Sequence, residues 1–284
     1  MPLPADFDLA DFVDRAFAED LGTGGDVTSA ATIDAEERFS AVMASRQDIV
    51  VAGLDIAAAF FRELDPSVEI ALLCPDGDSV AAGSELMHLR GSARAMLSAE
   101  RPALNTVQHL SGIATLTRRY VDAIEGTGAT LIDTRKTLPG LRVLEKYAVR
   151  MGGGTNHRMR LDDGVLIKDN HVAVCGGVAE AVRRAKAANT GLQVQVEVDS
   201  IAQIEPALEA GADRLLLDNM PLPVLREAVA LVGERVPLEA SGGVNLDTIR
   251  GIAETGVDFI SVGRITQSAP AVDIGLDYRV EARG

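Results

Sequence analysis

The sequence predicts an α/β protein in which a mixed α+β region precedes a parallel α/β barrel. After residue 126, short apolar runs alternate with helix-like segments, which is the pattern of repeated βα units in a parallel sheet. The last four runs recur at intervals of about twenty residues, and polar or charged residues follow nearly every run. Repetition of this kind favours a closed barrel over an open sheet.

The region before residue 126 mixes helices and strands without regular alternation, which predicts an α+β domain. Apolar residues at helical spacing predict a first helix over 8–21, and the segment 22–32 (GTGGDVTSAAT) is interpreted as a turn-rich connection. The pattern then predicts strands at 38–46, 68–74 and 85–91, and helices at 54–64 and 93–125. Gly112 could interrupt the last of these helices.

The predicted barrel strands are six short apolar runs. They are TLID (130–133), VLIK (165–168), VQVEV (194–198), RLLLD (214–218), PLEA (237–240) and FISVG (259–263). A doubly wound sheet is the alternative, but it would need a glycine-rich dinucleotide turn after its first strand. TRKTLPG follows TLID instead, and it is not such a turn.

Composition excludes several classes of partner. A net charge of −15 argues against nucleic acid and against anionic membranes, and no apolar run is long enough to span a bilayer. The N-terminus MPLPADFDLADF carries no basic segment of a signal peptide. Cys74 and Cys175 are the only cysteines and form no metal-ligand or disulfide pattern. We therefore expect a cytoplasmic protein without a membrane or nucleic-acid partner.

Cations are concentrated in one stretch of this acidic chain. Residues 133–171 contain eight Lys/Arg against five Asp/Glu, together with His157 and His171. A local cationic surplus inside an acidic protein predicts a pocket for a small anion, because a nucleic-acid surface would need a basic face on the whole domain.

The predicted strand ends share one property, which is a charged or phosphate-compatible group. They are Asp133-Thr134-Arg135-Lys136, Lys168-Asp169-Asn170-His171, Glu197-Val198-Asp199, Asp218-Asn219, Glu239-Ala240-Ser241-Gly242-Gly243 and Val262-Gly263-Arg264. The carboxyl ends of barrel strands form one rim, where active sites of this architecture lie. We therefore predict a functional site at this rim.

Each residue type at the rim indicates a kind of ligand. Arg135 and Arg158 offer planar forks of donors for a carboxylate or phosphate, and His157, Lys136 and Lys168 add further donors. Glu197 and Asp218 suit Mg²⁺ or sugar hydroxyls, with simple charge balance as the alternative. The glycine loops at 241–243 and 262–263 let backbone N–H groups approach a phosphate. Gly152–Gly154 follows a predicted helix and fits either a helix cap or a functional loop.

These motifs resemble one enzyme family. In order, DTRKTLPGLR, LEKYAV, GGG-x-NHR, LIKDNH, EVD, LLDN and EASGG are similar to quinolinate phosphoribosyltransferase, as are EDLGTGGDVTS (19–29) and ERPALNTVQHLSGIAT (100–115). The resemblance covers nearly the whole chain. It implies transfer of phosphoribosyl from phosphoribosyl pyrophosphate to quinolinate with decarboxylation, in NAD biosynthesis, with Mg²⁺ as cofactor.

The resemblance also implies an architecture. An N-terminal α/β sandwich domain over 1–112 would be followed by an incomplete barrel over 113–269, with the tail 270–284 returning to the first domain. The family assembles as a homodimer with shared active sites, and assembly beyond the dimer is left open.

Residue roles follow from the same resemblance. Thr134, Arg135, Lys136, His157, Arg158 and Lys168 would bind substrate, with the partner subunit's Arg101 added to the quinolinate site. The catalytic residues would be Glu197, Asp218, Lys136 and Lys168. Of these, Glu197 and Asp218 would serve the ribose and Mg²⁺, and either lysine could contact quinolinate or pyrophosphate. Ser241, Gly242, Gly243, Val262, Gly263 and Arg264 would hold the 5′-phosphate. Arg264 departs from the family pattern, which commonly has a small residue there.

Three other functions remain open at this point. A related phosphoribosyltransferase with another substrate, such as the molybdenum-associated paralogue, would share most motifs. A Schiff-base lyase would use Lys168 or Lys136 as nucleophile. A binding module would hold the same anions without catalysis.

Overall fold

The computed structural model of the protein describes residues 7–279. The chain divides into two compact units. Within the described residues, one unit comprises 7–116, 143–153 and 269–279, and the other comprises 117–142 and 154–268. Segment 143–153 lies between two barrel strands in sequence and nevertheless groups with the first unit.

The first part of the described chain contains α1 (Leu9–Leu21), α2 (Val27–Thr32), β1 (Arg38–Ser45), β2 (Ile49–Val50), α3 (Leu54–Leu64), β3 (Glu69–Leu72), β4 (Ser79–Val80), β5 (Glu85–Ser92) and α4 (Ala93–Ala123). After it come β6 (Thr130–Ile132), α5 (Arg142–Met151), β7 (Val165–Ile167), α6 (Asp169–Cys175), α7 (Val178–Ala187), β8 (Val194–Val198), α8 (Ile204–Glu209), β9 (Arg214–Asp218), α9 (Leu222–Val232), β10 (Leu238–Ser241), α10 (Ile249–Ala253), β11 (Phe259–Ser261), α11 (Arg264–Gln267) and β12 (Ile274–Arg279).

The first unit is built on a four-stranded antiparallel sheet in the order β12-β1-β5-β3. Strand β1 lies in the interior, where Ala41 is opposite Tyr278 on one side and Leu89 on the other. The described part of the C-terminal tail therefore completes the sheet that the N-terminal part begins. Phe60 and Phe61 of α3 are fully buried, and they form part of the core of this unit.

The prediction that residues 22–32 form only a turn-rich connection is wrong for their second half. Asp26 caps α2, with its carboxylate accepting the Ser29 N–H at 2.9 Å and the Ser29 hydroxyl at 2.5 Å. An N-cap of this kind satisfies a backbone donor that would otherwise lack a partner, so a short helix forms directly after the glycines.

Gly112 does not interrupt the long helix, because α4 runs unbroken from Ala93 to Ala123. A Cβ at this position would lie 2.2 Å from the carbonyl oxygen of Pro270. The glycine is therefore needed for close backbone approach within the first unit and not for a break in the helix.

The second unit contains the predicted parallel strands, and the barrel they form is incomplete. All six strands are parallel, in the order β6-β11-β10-β9-β8-β7. The first strand thus pairs with the sixth, and the ring is open between β6 and β7. Thr155 lies along β6 at this opening, where its N–H donates to the Leu131 carbonyl at 3.0 Å.

The strand interiors are aliphatic, as the composition predicts. Leu131, Val196, Leu215, Leu217 and Ile260 are each at most 2% exposed. Burial of such side chains is the main source of stability in a barrel of this kind. Among residues 7–279, no helix combines the length and apolarity that crossing a membrane would require.

Candidate active site

A cavity of about 610 Å³ lies at the carboxyl ends of the barrel strands. This volume is within the usual range of small-molecule sites. Its wall includes Asp133, Thr134, Arg135, Lys136, His157, Arg158, Leu166, Lys168, Leu216, Asp218, Asn219, Glu239, Ser241, Gly242, Gly243, Val244, Asn245, Ser261, Val262, Gly263, Arg264 and Gln267. Residues from five of the six barrel strands or the loops that follow them therefore meet at one place, and β8 contributes none of them.

The segment after β6 is held in a fixed turn that carries Lys136. The Lys136 N–H donates to the Thr134 hydroxyl at 3.0 Å, and the Lys136 carbonyl accepts from the Thr266 hydroxyl at 2.8 Å. A Cβ on Gly263 would lie 2.7 Å from Cδ of Lys136. Glycine at this position therefore makes room for the lysine stem between two loops of the site.

Two guanidinium groups, those of Arg135 and Arg158, repel one another in the wall of the cavity. Burial and the charge of Arg135 together lower the pKa of Arg158. One Nη of Arg158 donates to the Gly164 carbonyl at 2.9 Å. The Nε of Arg135 is buried without a hydrogen-bond partner among the described residues. Two like charges at one place favour binding of a ligand with at least two negative charges.

His157 reaches the cavity from the segment that lies at the opening of the barrel. Asp133 fixes this segment, because its carboxylate accepts the Asn156 amide at 2.6 Å and the His157 N–H at 2.8 Å. The imidazole Nδ1 accepts the Arg158 N–H at 2.7 Å. Nε2 lies 3.2 Å from Oε1 of Gln195 and 3.4 Å from Oε2 of Glu239. Both ring nitrogens therefore have partners within the protein.

The carboxylates face the cations from β8 and β9. Lys168 forms an ion pair with Glu197 at 2.7 Å, and the Glu197 side chain is only 11% exposed. Burial and the charges of Glu197 and Asp169 raise the pKa of Asp218, although Asn219 and Lys168 act in the opposite direction. A cation bound near Asp218 would therefore stabilise the ionised form of this carboxyl group.

The glycine loop after β10 has a backbone that other residues rarely adopt. Gly242 has φ 93°, and a Cβ there would lie 2.1 Å from the side-chain oxygen of Asn219. Asn219 itself has φ 53° and donates its N–H to the Ser241 carbonyl at 2.9 Å. The ends of β9 and β10 are thus locked together, and the loop of small residues leaves space for a ligand.

Two carboxylates, Glu197 and Asp218, lie near enough for their charges to interact. No group of three His, Cys, Asp or Glu side chains suited to a metal occurs within residues 7–279. Magnesium often takes one or two protein carboxylates and completes its shell with substrate oxygens and water. The pair therefore fits Mg²⁺ that arrives with a polyphosphate better than a resident metal.

Most residues that the sequence predicted for the site lie together in the cavity wall, namely Thr134, Arg135, Lys136, His157, Arg158, Lys168, Asp218, Ser241, Gly242, Gly243, Val262, Gly263 and Arg264. Glu197 is not in the wall but pairs with Lys168, which is. Arg101 is an exposed residue of α4 in the first unit. Gly153, with φ 88°, follows the end of α5, as the helix-cap interpretation of Gly152–Gly154 expects.

Sequence reasoning missed three polar side chains of the wall, which are Asn245, Ser261 and Gln267, and it listed Asn219 and Glu239 at strand ends without assigning them a role. Asn219 directly follows a predicted strand, so its position was a usable signal. Glu239 and Ser261 lie inside strands. Alternation of side chains along a strand places Glu239 on the same face as Ser241, which indicates that Glu239 points toward the site.

A parallel barrel that gathers cations, carboxylates and glycine loops at its carboxyl rim is an enzyme architecture for small phosphorylated anions. The family model for the C-terminal domain of quinolinate phosphoribosyl transferase matches residues 113–277, and the model for its N-terminal domain matches 26–111. The chain belongs to the quinolinate phosphoribosyltransferase family.

Individual relatives are similar over nearly the full length. A nicotinate-nucleotide pyrophosphorylase (carboxylating) from Mycobacterium leprae is 45% identical over 278 residues, which are 96% of this chain and 98% of the relative. A quinolinate phosphoribosyltransferase (decarboxylating) from Nicotiana tabacum is 40% identical over 299 aligned positions, covering 99% of this chain and 85% of the relative. The solved nicotinate-nucleotide pyrophosphorylase of Ehrlichia chaffeensis has a TM-score of 0.93 at 40% identity, covering 96% of this chain and all of that chain.

Proposed function

We propose that this protein transfers the phosphoribosyl group of phosphoribosyl pyrophosphate to quinolinate with loss of CO₂, yielding nicotinate mononucleotide and pyrophosphate in NAD biosynthesis. The Nicotiana relative is named for the decarboxylating direction of this reaction, and the Mycobacterium relative is named for the reverse, carboxylating direction. The observation that carries the proposal is the cavity itself, whose wall contains two mutually repelling arginines, Asp218 and a glycine loop, with Glu197 paired to Lys168 of the same wall.

The arginines form the quinolinate half of the proposed site. Quinolinate is a pyridine with two adjacent carboxylates, so it can neutralise two guanidinium groups at once. Arg135 and Arg158 would each pair with a carboxylate, and Thr134 and His157 would complete this wall. Lys136 and Lys168 lie in the same wall, and either lysine would also suit the departing pyrophosphate.

The carboxylates and the glycine loops form the phosphoribosyl half. Ser241, Gly242 and Gly243 after β10 and Val262, Gly263 and Arg264 after β11 would hold the 5′-phosphate, because small residues allow backbone N–H groups to approach it. Glu197 and Asp218 would bind the ribose hydroxyls and Mg²⁺. The magnesium ion would neutralise the pyrophosphate leaving group.

The chemistry requires positioning more than a strong acid or base. The bond between C1′ and pyrophosphate breaks, the pyridine nitrogen forms the new bond to C1′, and the carbon passes through an oxocarbenium-like state. Glu197 and Asp218 would stabilise the positive charge that develops there. In the resulting pyridinium, the ring takes up the electron pair that the 2-carboxylate leaves behind as CO₂, and a proton then replaces it. Two substrates held in register supply most of the rate enhancement that such a step needs.

The test of this proposal is a direct assay of products. Purified protein with quinolinate, phosphoribosyl pyrophosphate and Mg²⁺ should release CO₂ and pyrophosphate in equal amounts, and chelation of the metal should stop both. Pyrophosphate release with a different acceptor and none with quinolinate would favour a paralogous transferase. Binding of both substrates without turnover would favour a binding module. Borohydride trapping of a substrate carbonyl on a lysine would favour a Schiff-base lyase.

The proposal includes a homodimer with shared sites. Arg101 is exposed on α4 of the first unit, and the family resemblance assigns it to the site of the partner subunit. Arg101→Ala and Lys136→Ala should each be inactive alone. When the two variants exchange subunits, half of the dimers are mixed and half of their sites are intact, so about a quarter of the activity should return.

The control for this experiment is co-purification of differently tagged chains, which verifies that mixed dimers form. If mixed dimers form and activity stays at the level of the single variants, Arg101 acts within its own chain. A cytoplasmic location is also part of the proposal, because Cys74 and Cys175 are free thiols, as a reducing compartment favours.

A further inference from the structure

The interior of the barrel contains a charged cluster directly beneath the cavity. Gln195 of β8, Arg214 of β9 and Glu239 of β10 come from three consecutive strands. Glu239 is only 1% exposed, and Gln195 is 6% exposed. The guanidinium of Arg214 stacks on the ring of Phe259 at 3.9 Å. Barrel interiors are normally filled by layers of branched apolar side chains, so a buried carboxylate at this place needs a reason.

Nitrogen atoms of three different residues converge on a single oxygen of Glu239. Oε2 lies 2.7 Å from Nε2 of Gln195, 2.9 Å from Nη2 of Arg214 and 3.4 Å from Nε2 of His157. Burial acts to raise the pKa of Glu239, but the hydrogen bonds and positive charges around it outweigh burial and leave that pKa lowered. Glu239 is therefore a buried anion whose surroundings require a negative charge.

The hydrogen bonds of His157 define which ring nitrogen carries its proton. The backbone N–H of Arg158 can only donate, so Nδ1, at 2.7 Å from it, must present its lone pair. Nε2 then carries the hydrogen and points to Gln195 and Glu239. The ring consequently links the buried cluster to the backbone of Arg158. The imidazole has no donor left for a ligand in this arrangement.

We propose that Glu239 is a positioning residue for quinolinate, acting through His157 on Arg158. The carboxylate lies 3.4 Å from Nε2 and also holds the Gln195 amide, whose oxygen is 3.2 Å from Nε2, so Glu239 keeps the imidazole in the Nε2–H tautomer both directly and through Gln195. Nδ1 of that tautomer accepts the Arg158 N–H and thereby fixes the backbone from which the guanidinium extends. The segment around His157 lies at the opening between β6 and β7, where β6 pairs with it on one side only, and the buried cluster holds the imidazole from within the barrel. This inference rests on the proposed function, in which Arg158 binds a carboxylate of quinolinate.

The first test compares the two substrates in the Glu239→Gln variant. The substitution keeps the shape of the side chain and removes its charge. The KM for quinolinate should rise about tenfold, since a hydrogen bond to a charged group is lost, while the KM for phosphoribosyl pyrophosphate should stay within about twofold. Equal rises for both substrates would mean that β10 is merely disturbed, and an unchanged KM for quinolinate would overturn the proposal.

A matched control is Asp213→Asn. Asp213 precedes β9 at the opposite end of the barrel and accepts the Val194 N–H at 2.6 Å. This variant removes a carboxylate from the same group of strands, away from the cavity wall. It should lower the melting temperature without changing either KM. A change in the KM for quinolinate here as well would show that this KM responds to any weakening of the barrel.

The second test asks whether Glu239 acts through His157. His157→Asn removes Nε2 and keeps a side-chain oxygen that can accept the Arg158 N–H. Quinolinate affinity is measured by calorimetry in the wild type, both single variants and the double variant. Glu239→Gln should weaken binding about tenfold in the wild type and less than about twofold in the His157→Asn background, because residues that act in series are not additive. The same tenfold loss in both backgrounds would assign the effect to Arg214 instead.

A third measurement needs no substrate. Nitrogen-15 NMR of the wild type distinguishes the two imidazole tautomers, and the missing signal in His157→Asn identifies the ring. His157 should be found with its hydrogen on Nε2 and with a hydrogen-bonded Nδ1. The opposite tautomer would overturn the proposal even if the enzyme turns over quinolinate. Failure of the wild type to bind quinolinate would refute the proposed function and leave this tautomer test standing on its own.

Discussion

Charged side chains are arranged differently at the two ends of the barrel strands, with opposite charges paired at the amino ends and like charges grouped at the carboxyl ends. At the amino ends, acids are matched with donors. Asp213 accepts the Val194 N–H at 2.6 Å and the ammonium of Lys186 at 2.7 Å, and Asp258 accepts the Leu238 N–H at 2.7 Å. Although burial acts to raise it, the pKa of Asp213 is lowered by these partners. Such matched groups add to the stability of the fold.

At the carboxyl ends, groups of like charge lie together. Arg135 and Arg158 repel one another, and so do Glu197 and Asp218. Burial, with these repulsions added to it, lowers the pKa of Arg158 and raises that of Asp218. This arrangement costs stability in the protein alone and is relieved when ligands of opposite charge bind. The difference between the two ends is therefore the difference between residues selected for folding and residues selected for binding.

The largest effect that the comparison predicts follows Arg158→Ala at the carboxyl end. Quinolinate affinity should fall about a hundredfold, because a desolvated charge pair loses one partner. Titration calorimetry measures the affinity, and Arg183→Ala, on an exposed ion pair with Glu180, is the matched control. A loss of more than about 3 kcal/mol in unfolding free energy would show that Arg158 stabilises the fold instead of serving only in binding.

The comparison is sharpened by a ligand that lacks one charge. Nicotinate has no 2-carboxylate, so one of the two arginines would stay unneutralised in its complex. We expect kcat/KM for nicotinate to be lower than for quinolinate by at least about a hundredfold, since an unpaired buried charge costs several kcal/mol. Equal values for the two acids would be incompatible with a site built for a dianion.

A backbone effect is expected at the glycine loop of the carboxyl end. In Gly242→Ala, the new Cβ would collide with Asn219, and φ of 93° is unfavourable for alanine. The KM for phosphoribosyl pyrophosphate should rise about tenfold or more as the loop shifts. Gly176→Ala is the control, because φ is 84° there, no atom lies within 4 Å of the added Cβ, and the residue is outside the cavity wall. If both variants behave alike, strain alone accounts for the loss.

A smaller effect is expected at the amino end, where Asp213→Asn should destabilise the protein by about 1 kcal/mol near neutral pH. The pKa of Asp213 is lowered from 3.8 in the folded state, so its contribution is present above that value and is lost as pH falls through the folded pKa. Denaturant unfolding at several pH values should therefore show the gap between wild type and variant closing in acid. A difference in unfolding free energy that stays constant with pH would mean that the ionisation of Asp213 does not cause the destabilisation.

The smallest expected effect is a gain in thermal stability, and it concerns Asp218 at the carboxyl end. The pKa of Asp218 is raised above 3.8 in the folded state, so its ionised form is a cost that appears as pH rises through the folded pKa. Asp218→Asn should raise the melting temperature at neutral pH by on the order of 1 °C while weakening Mg²⁺-dependent activity. The gain should vanish near pH 3. A lower melting temperature at neutral pH would mean that Asp218 supports the fold.

The strands of the barrel could be predicted because each is a short aliphatic run with polar residues after it, and all six occur where those runs lie. The side chains that contact Glu239 inside the barrel could not be predicted, because its three nitrogen contacts come from distant positions in the sequence. The helix α2 was missed because its capping residue, Asp26, follows three glycines that indicate a turn. Gly112 was misinterpreted for a related reason, since the segment that approaches it lies far along the chain.

The position of β12 has a consequence for how this chain is made. Strand β1 lies between β5 and β12, and β12 follows the whole barrel in sequence. During synthesis, β1 therefore keeps one edge with unpaired N–H and C=O groups until residues 274–279 have left the ribosome. An exposed edge of this kind invites pairing with other chains, so the interval before β12 arrives is the period of greatest aggregation risk. Truncation before residue 274 would make that interval permanent.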